Sequence, residues 1–149
     1  MADVSALLAQ YLSVKSQVSY NQLQQTKWAD LHESMSAKLS RQTKAEEQWT
    51  DAYDTCEDKV LNGEEVKYKG TTINYSGSTV DSASKAYKYA ELKVPNYDPE
   101  KLDEYAELDM QYDLMQSTYD TLLEELNAQA ESLKTTLGNA TKDTGMLDQ

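Results

Sequence analysis

Phenylalanine is absent from this chain, cysteine and histidine occur once each, and proline appears only twice and glycine five times in 149 residues. Each scarcity excludes something. A lone cysteine, Cys56, rules out an internal disulfide framework. A lone histidine, His32, leaves no partner histidine for a zinc or catalytic cluster, and Cys56 lies 24 residues further on, some 36 Å along a helix axis. No apolar run exceeds the four residues 6–9, so neither a signal peptide nor a membrane span is expected. Phosphate-binding glycine loops, zinc spacings, nucleophile elbows and EF-hand calcium loops are all missing. No enzymatic activity, cofactor or metal is expected.

Basic charge is also scarce, with 14 lysines and arginines against 26 acids and a net charge of -12. The excess is uneven: residues 99–149 carry three basic and twelve acidic groups, whereas residues 63–98 carry five of each. Nucleic acid and anionic membranes need a basic face and are not expected as partners. A basic protein patch fits better, and a solvated acidic face is the plainer reading. Carboxylates four apart, Glu100 with Glu104, Asp103 with Glu107 and Asp109 with Asp113, read as such a face rather than a cation site.

What the chain has in quantity is helical periodicity. Alternate steps of three and four from Val4 reach Leu7, Tyr11, Val14, Val18, Asn21, Gln25, Trp28, His32, Met35, Leu39, Gln42, Glu46, Trp49, Tyr53, Cys56 and Val60. Twelve of these 17 positions are apolar or aromatic. Such a stripe predicts one coiled-coil-like helix over residues 3–61, a rod of roughly 90 Å, capped by Asp3. Its five polar positions are expected to set register, Trp28 and Trp49 to anchor the core, and Cys56 to be a buried small hydrophobe.

Asn62-Gly63 should close this helix. Alternating Val66 and Tyr68, then Ile73 and Tyr75, around Lys69-Gly70-Thr71-Thr72 predict a small β-hairpin within a loop tip at 63–77. Val80, Ala83, Tyr87, Ala90 and Val94 give a second helix over 79–94, stopped at Pro95. Asp98-Pro99-Glu100 opens a third over 99–137, with Leu102, Tyr105, Leu108, Tyr112, Met115, Tyr119, Leu122, Leu126, Ala130, Leu133 and Leu137 on its seam. Gly138 should end it, leaving a flexible tail at 138–149.

The lengths predict an all-α fold: one elongated antiparallel helical hairpin, a single domain, whose first helix lies against a return path broken at Pro95, with the β-hairpin at its tip. Leu8, Leu12 and Leu23 lie off the seam. Together with Trp28, Trp49, Met110, Leu114 and Leu123 they are the expected interface residues. Eleven tyrosines with no phenylalanine suit contacts that are wet in the free subunit and buried in an assembly, and compositional bias explains them equally well.

In outline this arrangement resembles exported helical filament subunits of the type III secretion and flagellin kind, which pair terminal helices around a variable middle. The resemblance covers architecture alone, and small phage virion proteins share it. The Trp-Xaa-Gly turn of secreted helical-hairpin proteins is absent, since Trp28-Ala29-Asp30 lacks the glycine. The functional expectation is a self-associating structural subunit of a filament, needle or virion-like shell. The alternative is a cytoplasmic adaptor or chaperone whose acidic third helix meets a basic client. Either a cytoplasmic location or export without a cleaved signal fits.

Overall fold

The structure, a computed structural model, describes residues 3–73 and 79–143. It is mostly helical, with three helices packing against each other. Helix α1 is Val4–Leu61, α2 is Thr79–Lys93 and α3 is Pro99–Asp143. Two three-residue strands, β1 (Val66–Tyr68) and β2 (Thr71–Ile73), pair antiparallel with Val66 opposite Ile73. Tyr75, expected in the second strand, lies outside the described residues. Among the described residues no helix is long and apolar enough to cross a membrane.

Local chemistry explains the boundaries. The Asp3 carboxylate accepts from the Ser5 N–H at 3.0 Å, filling one of the first-turn amides that a helix leaves unbonded. At the other end of α1, Gly63 takes a φ of +77°. There the Gly63 N–H donates to the Val60 carbonyl at 3.0 Å and the Glu64 N–H to the Lys59 carbonyl at 2.8 Å, the paired bonds of a Schellman motif. Lys69 and Gly70 both have positive φ, 48° and 81°, so a two-residue turn joins the strands and matches their twist. The turn is thus shorter than the four residues expected, because Thr71 and Thr72 pair with Tyr68 and Lys67.

Asp98 caps α3 through bonds from the Glu100 and Lys101 N–H groups at 3.0 and 3.3 Å, with Pro99 in the first turn, where no amide is needed. The expected stop at Gly138 is not used. Helix α3 continues to Asp143, and only residues 144–149 of the expected tail lie outside the described residues. A glycine costs a helix about 1 kcal/mol relative to alanine, and no proline follows to enforce an end. Within the extension the Thr141 hydroxyl lies in hydrogen-bond reach of the Leu137 and Gly138 carbonyls, at 3.0 and 2.9 Å.

The chain divides into two compact units, one of Met1–Ser34 with Asp109–Gln149 and one of Met35–Leu108. In the first, α1 and α3 run antiparallel, as the pairs Gln25 with Asp120 and His32 with Asp109 require. Val14 and Val18 of α1 pack with Leu123, Leu126 and Ala130 of α3, flanked by Tyr11, Leu122 and Leu133.

In the second unit, Ala52, Cys56 and Val60 of α1 pack with Ala86, Tyr89 and Ala90 of α2 and with Val66. Cys56, Val60, Ala90 and Val94 are buried as expected, but elsewhere small side chains take the inner positions, one residue before those expected on α1 at Ala45 and Ala52 and on α2 at Ala86. Ala45 is buried and Glu46 exposed; Ala86 and Tyr89 are buried while Tyr87 faces outward.

Candidate functional site

Polar groups in the α1 stripe act as pegs. In the first unit, the Gln25 amide donates to the Asp120 carboxylate. His32 directs Nδ1 at Gln116 Oε1 (3.1 Å) and Nε2 at Asp109 Oδ1 (3.4 Å). Asn21 is different, since its amide donates to its own helix at the Gln17 carbonyl, 2.8 Å away. These cross-helix bonds are satisfied in one register only, and sliding α3 by a turn would strand them.

Gln42 does the same work in the second unit. Its Nε2 donates to the Asn96 carbonyl at 2.9 Å, and its Oε1 accepts from the Asp98 N–H at 3.0 Å. One side chain thus grips both sides of the elbow between α2 and α3. Gln42→Ala is expected to cost about 1–2 kcal/mol, two hydrogen bonds partly replaced by water. Denaturant unfolding followed at Trp49 would read the loss, and an unchanged midpoint would remove the clamp from the account.

The two tryptophans sit in separate aromatic groups. Trp28 meets Tyr112 with ring centroids 5.8 Å apart, and its indole N–H is buried without a hydrogen-bond partner. Trp49 stacks on Tyr53 at 5.4 Å and also touches Tyr87 and Tyr97. Of the tyrosines outside the expected seams, Tyr68 and Tyr89 pack on each other, Tyr97 packs on Trp49, and Tyr20 is exposed. Intrachain packing therefore uses three aromatic rings that were candidates for contact in an assembly.

Titration in the second unit runs in one direction. Burial pushes the Cys56 thiol above its ordinary value of 9.0, against a smaller opposing pull from Lys59. A hydrogen bond to Glu57 raises Tyr53 above 10.0, aided by burial and by the charges of Glu57 and Asp54. Burial also raises Tyr97, helped by Glu46, Asp103, Tyr87 and Asp98. The folded chain holds all three neutral where the unfolded chain ionises, so their contribution is intact below about pH 9 and is lost as pH rises through the folded values. The denaturant midpoint of this unit is expected to fall between pH 8 and pH 11, with the first part of the fall absent in Cys56→Ala. A midpoint that does not move would overturn this.

The expected interface residues divide into two sets. Leu123 is buried within the first unit, and Trp28 and Trp49 are half-buried in their aromatic groups. Leu8, Leu12 and Leu23 on α1 and Met110 and Leu114 on α3 are between 44% and 70% exposed. At 3.6 residues per turn the three leucines fall within about 60° of one another and about 120–180° from Val14, on the side of α1 away from α3. Met110 and Leu114 are one turn apart, likewise on the outer side of α3. Charges around the two faces are opposite in sign. Between Val4 and Ala29, α1 carries only Lys15 and Lys27, whereas α3 from Pro99 to Glu131 carries ten acids and one lysine.

Among the described residues no group of three histidine, cysteine or acidic side chains is placed to hold a metal ion. A groove between α1 and α3 is lined by Ala9, Gln10, Ser13, Val14, Gln129 and Leu133, none of them titratable. Compared with known protein families, with characterised proteins and with solved structures, the chain matches none of them.

Proposed function

We propose that this protein is a non-enzymatic structural subunit that associates with copies of itself, as in a filament, needle or virion-like shell. The observation carrying this reading is the pair of exposed apolar faces, Leu8-Leu12-Leu23 on α1 and Met110-Leu114 on α3. Seam residues of α1 and α3, Glu46 apart, are already wholly or partly covered inside the chain, so these five large apolar side chains are surplus to the core and costly to leave in water. Opposite charge beside the two faces favours α1 of one copy on α3 of the next, a head-to-tail contact that can propagate. With this goes the finer architecture expected from the sequence: a helical hairpin with its return path broken at Pro95 and a small β-hairpin at the tip.

The test is molar mass by light scattering on a size-exclusion column over a wide concentration range. Mass that grows with concentration supports the subunit reading; a fixed monomer mass at every concentration removes it.

A second reading draws on the acidity of α3: an adaptor or chaperone meeting a basic protein partner. A client bound this way would be released as salt rises, because exposed charges are screened within about 10 Å at 0.1 M salt. Salt-insensitive binding of a basic client would argue against it.

A further inference from the structure

At the elbow of the second unit, Trp49, Tyr87, Glu91, Pro95, Tyr97 and Pro99 enclose a niche of about 160 Å³. Trp49 is the ring that two tyrosines of the niche share. Tyr87 stands nearly edge-on to it, with centroids 5.3 Å apart and planes at 73°, and Tyr97 is tilted at 5.7 Å and 51°. Rings set at such angles form walls rather than a stack, and the face of an aromatic ring carries the negative side of its quadrupole.

The surroundings reinforce that sign. Glu91 is on the rim, and none of the described residues lining the niche is basic. Lys93, near the end of α2, places its Nζ 5.7 Å from the Tyr89 ring centroid. Burial is the main cause of the upward shift of Tyr97, and the charges of Glu46, Asp103 and Asp98 add to it in the same direction. The elbow is also held in advance: Pro95 and Pro99 restrict the backbone, and Gln42 bonds to both Asn96 and Asp98. A preformed site loses little entropy on binding.

We propose that this niche binds an organic cation, the guanidinium or alkylammonium head group of a basic side chain or a small amine. Its volume is well below the roughly 300–1,000 Å³ of pockets that take whole drug-sized ligands, so a head group fits and a nucleotide or cofactor does not. The niche uses none of the exposed leucines or methionine proposed for self-association, so the two are separable by experiment.

The test uses the full chain and proton–nitrogen NMR, following the indole N–H of Trp49 with that of Trp28 as internal control. Tetramethylammonium, N-acetyl-arginine amide and a short arginine-containing peptide are titrated at constant ionic strength, with neopentyl alcohol as the neutral match. The expected result is a saturable shift at Trp49 and not at Trp28 with the cations, and none with the alcohol. Tyr87→Leu, at an exposed position, should weaken binding about tenfold or more, and Glu91→Gln should weaken it several-fold. Tighter binding of the peptide than of the free amines identifies a protein source for the cation, and equal binding a small amine. A response shared by the neutral alcohol, the absence of saturation, or full binding in both variants would overturn the proposal.

Discussion

Changing Leu8 and Leu12 together to glutamate is expected to abolish self-association while leaving the helix content unchanged. Both side chains are exposed in the single chain, at 44% and 57%, and neither belongs to the buried cluster of the first unit. Glutamate is also a good helix former, and its charge is satisfied by water in the monomer. In an assembly the same positions would be covered. Each lost leucine removes about 1.5–3 kcal/mol of burial, and two together weaken association about 100-fold or more, since 1.4 kcal/mol is a factor of ten. The new charges would also face the acidic α3 of the neighbouring copy. Light scattering should show a monomer at concentrations where the unaltered chain is large, with the same circular dichroism at 222 nm. Assembly that survives the double change would show that the contact lies elsewhere. Met110→Glu with Leu114→Glu tests the other half of the contact in the same way.

The second large effect concerns the same type of residue in the opposite setting. Leu126→Ala should destabilise the chain by about 2–5 kcal/mol, the range for a leucine removed from a packed core. Leu126 is 5% exposed and packs with Val14, Val18, Leu123 and Ala130. Leu23→Ala, at 70% exposure, should change the stability of the monomer by no more than about 0.5 kcal/mol. Denaturant unfolding at low protein concentration reads both. If the two substitutions cost the same, the assignment of Leu126 to the core and of Leu23 to the outer face would be wrong.

Separating these leucines required only partial help from the coordinates. Seam positions Val14, Val18, Met35, Cys56, Val60, Leu126 and Ala130 are buried as their spacing implies, because a stripe repeated over many turns leaves one face to bury. Positions where the pattern misled are those where side-chain size overrides hydrophobicity. Tyr87 has the more apolar bulk, yet Ala86 is the fully buried residue, since only an alanine lets α2 settle against Ala52 and Cys56. Glu46 fits the repeat, yet the neighbouring Ala45 is the buried residue. Leu123 was expected at an interface and instead fills the space beside Val18, which a helix seen alone cannot reveal.

The elbow site was harder to read. Pro95, Asp98 and Pro99 were legible as punctuation, because proline and a capping aspartate act through their own backbone. Gln42 stood out only as a polar residue in an apolar stripe, and nothing within 54 residues of chain says that its amide reaches the Asn96 carbonyl. The grouping of Trp49, Tyr87 and Tyr97 was illegible likewise. The one available signal was the aromatic enrichment on either side of the prolines, which does not say which rings meet.

From the sequence alone came the helices, their caps at Asp3 and Asp98, the close at Gly63, the buried character of Cys56 and the acidity of α3. Each depends on interactions within a few residues or on composition. Only the tertiary structure decided the partners of Gln25, His32 and Gln42, the one-position shift of the stripe around Ala45 and Ala52, the continuation of α3 past Gly138, and the division of apolar side chains into covered and exposed. Those outcomes depend on how closely two helix surfaces can approach. That distance is set jointly by side chains far apart in the chain, so neither surface encodes it by itself.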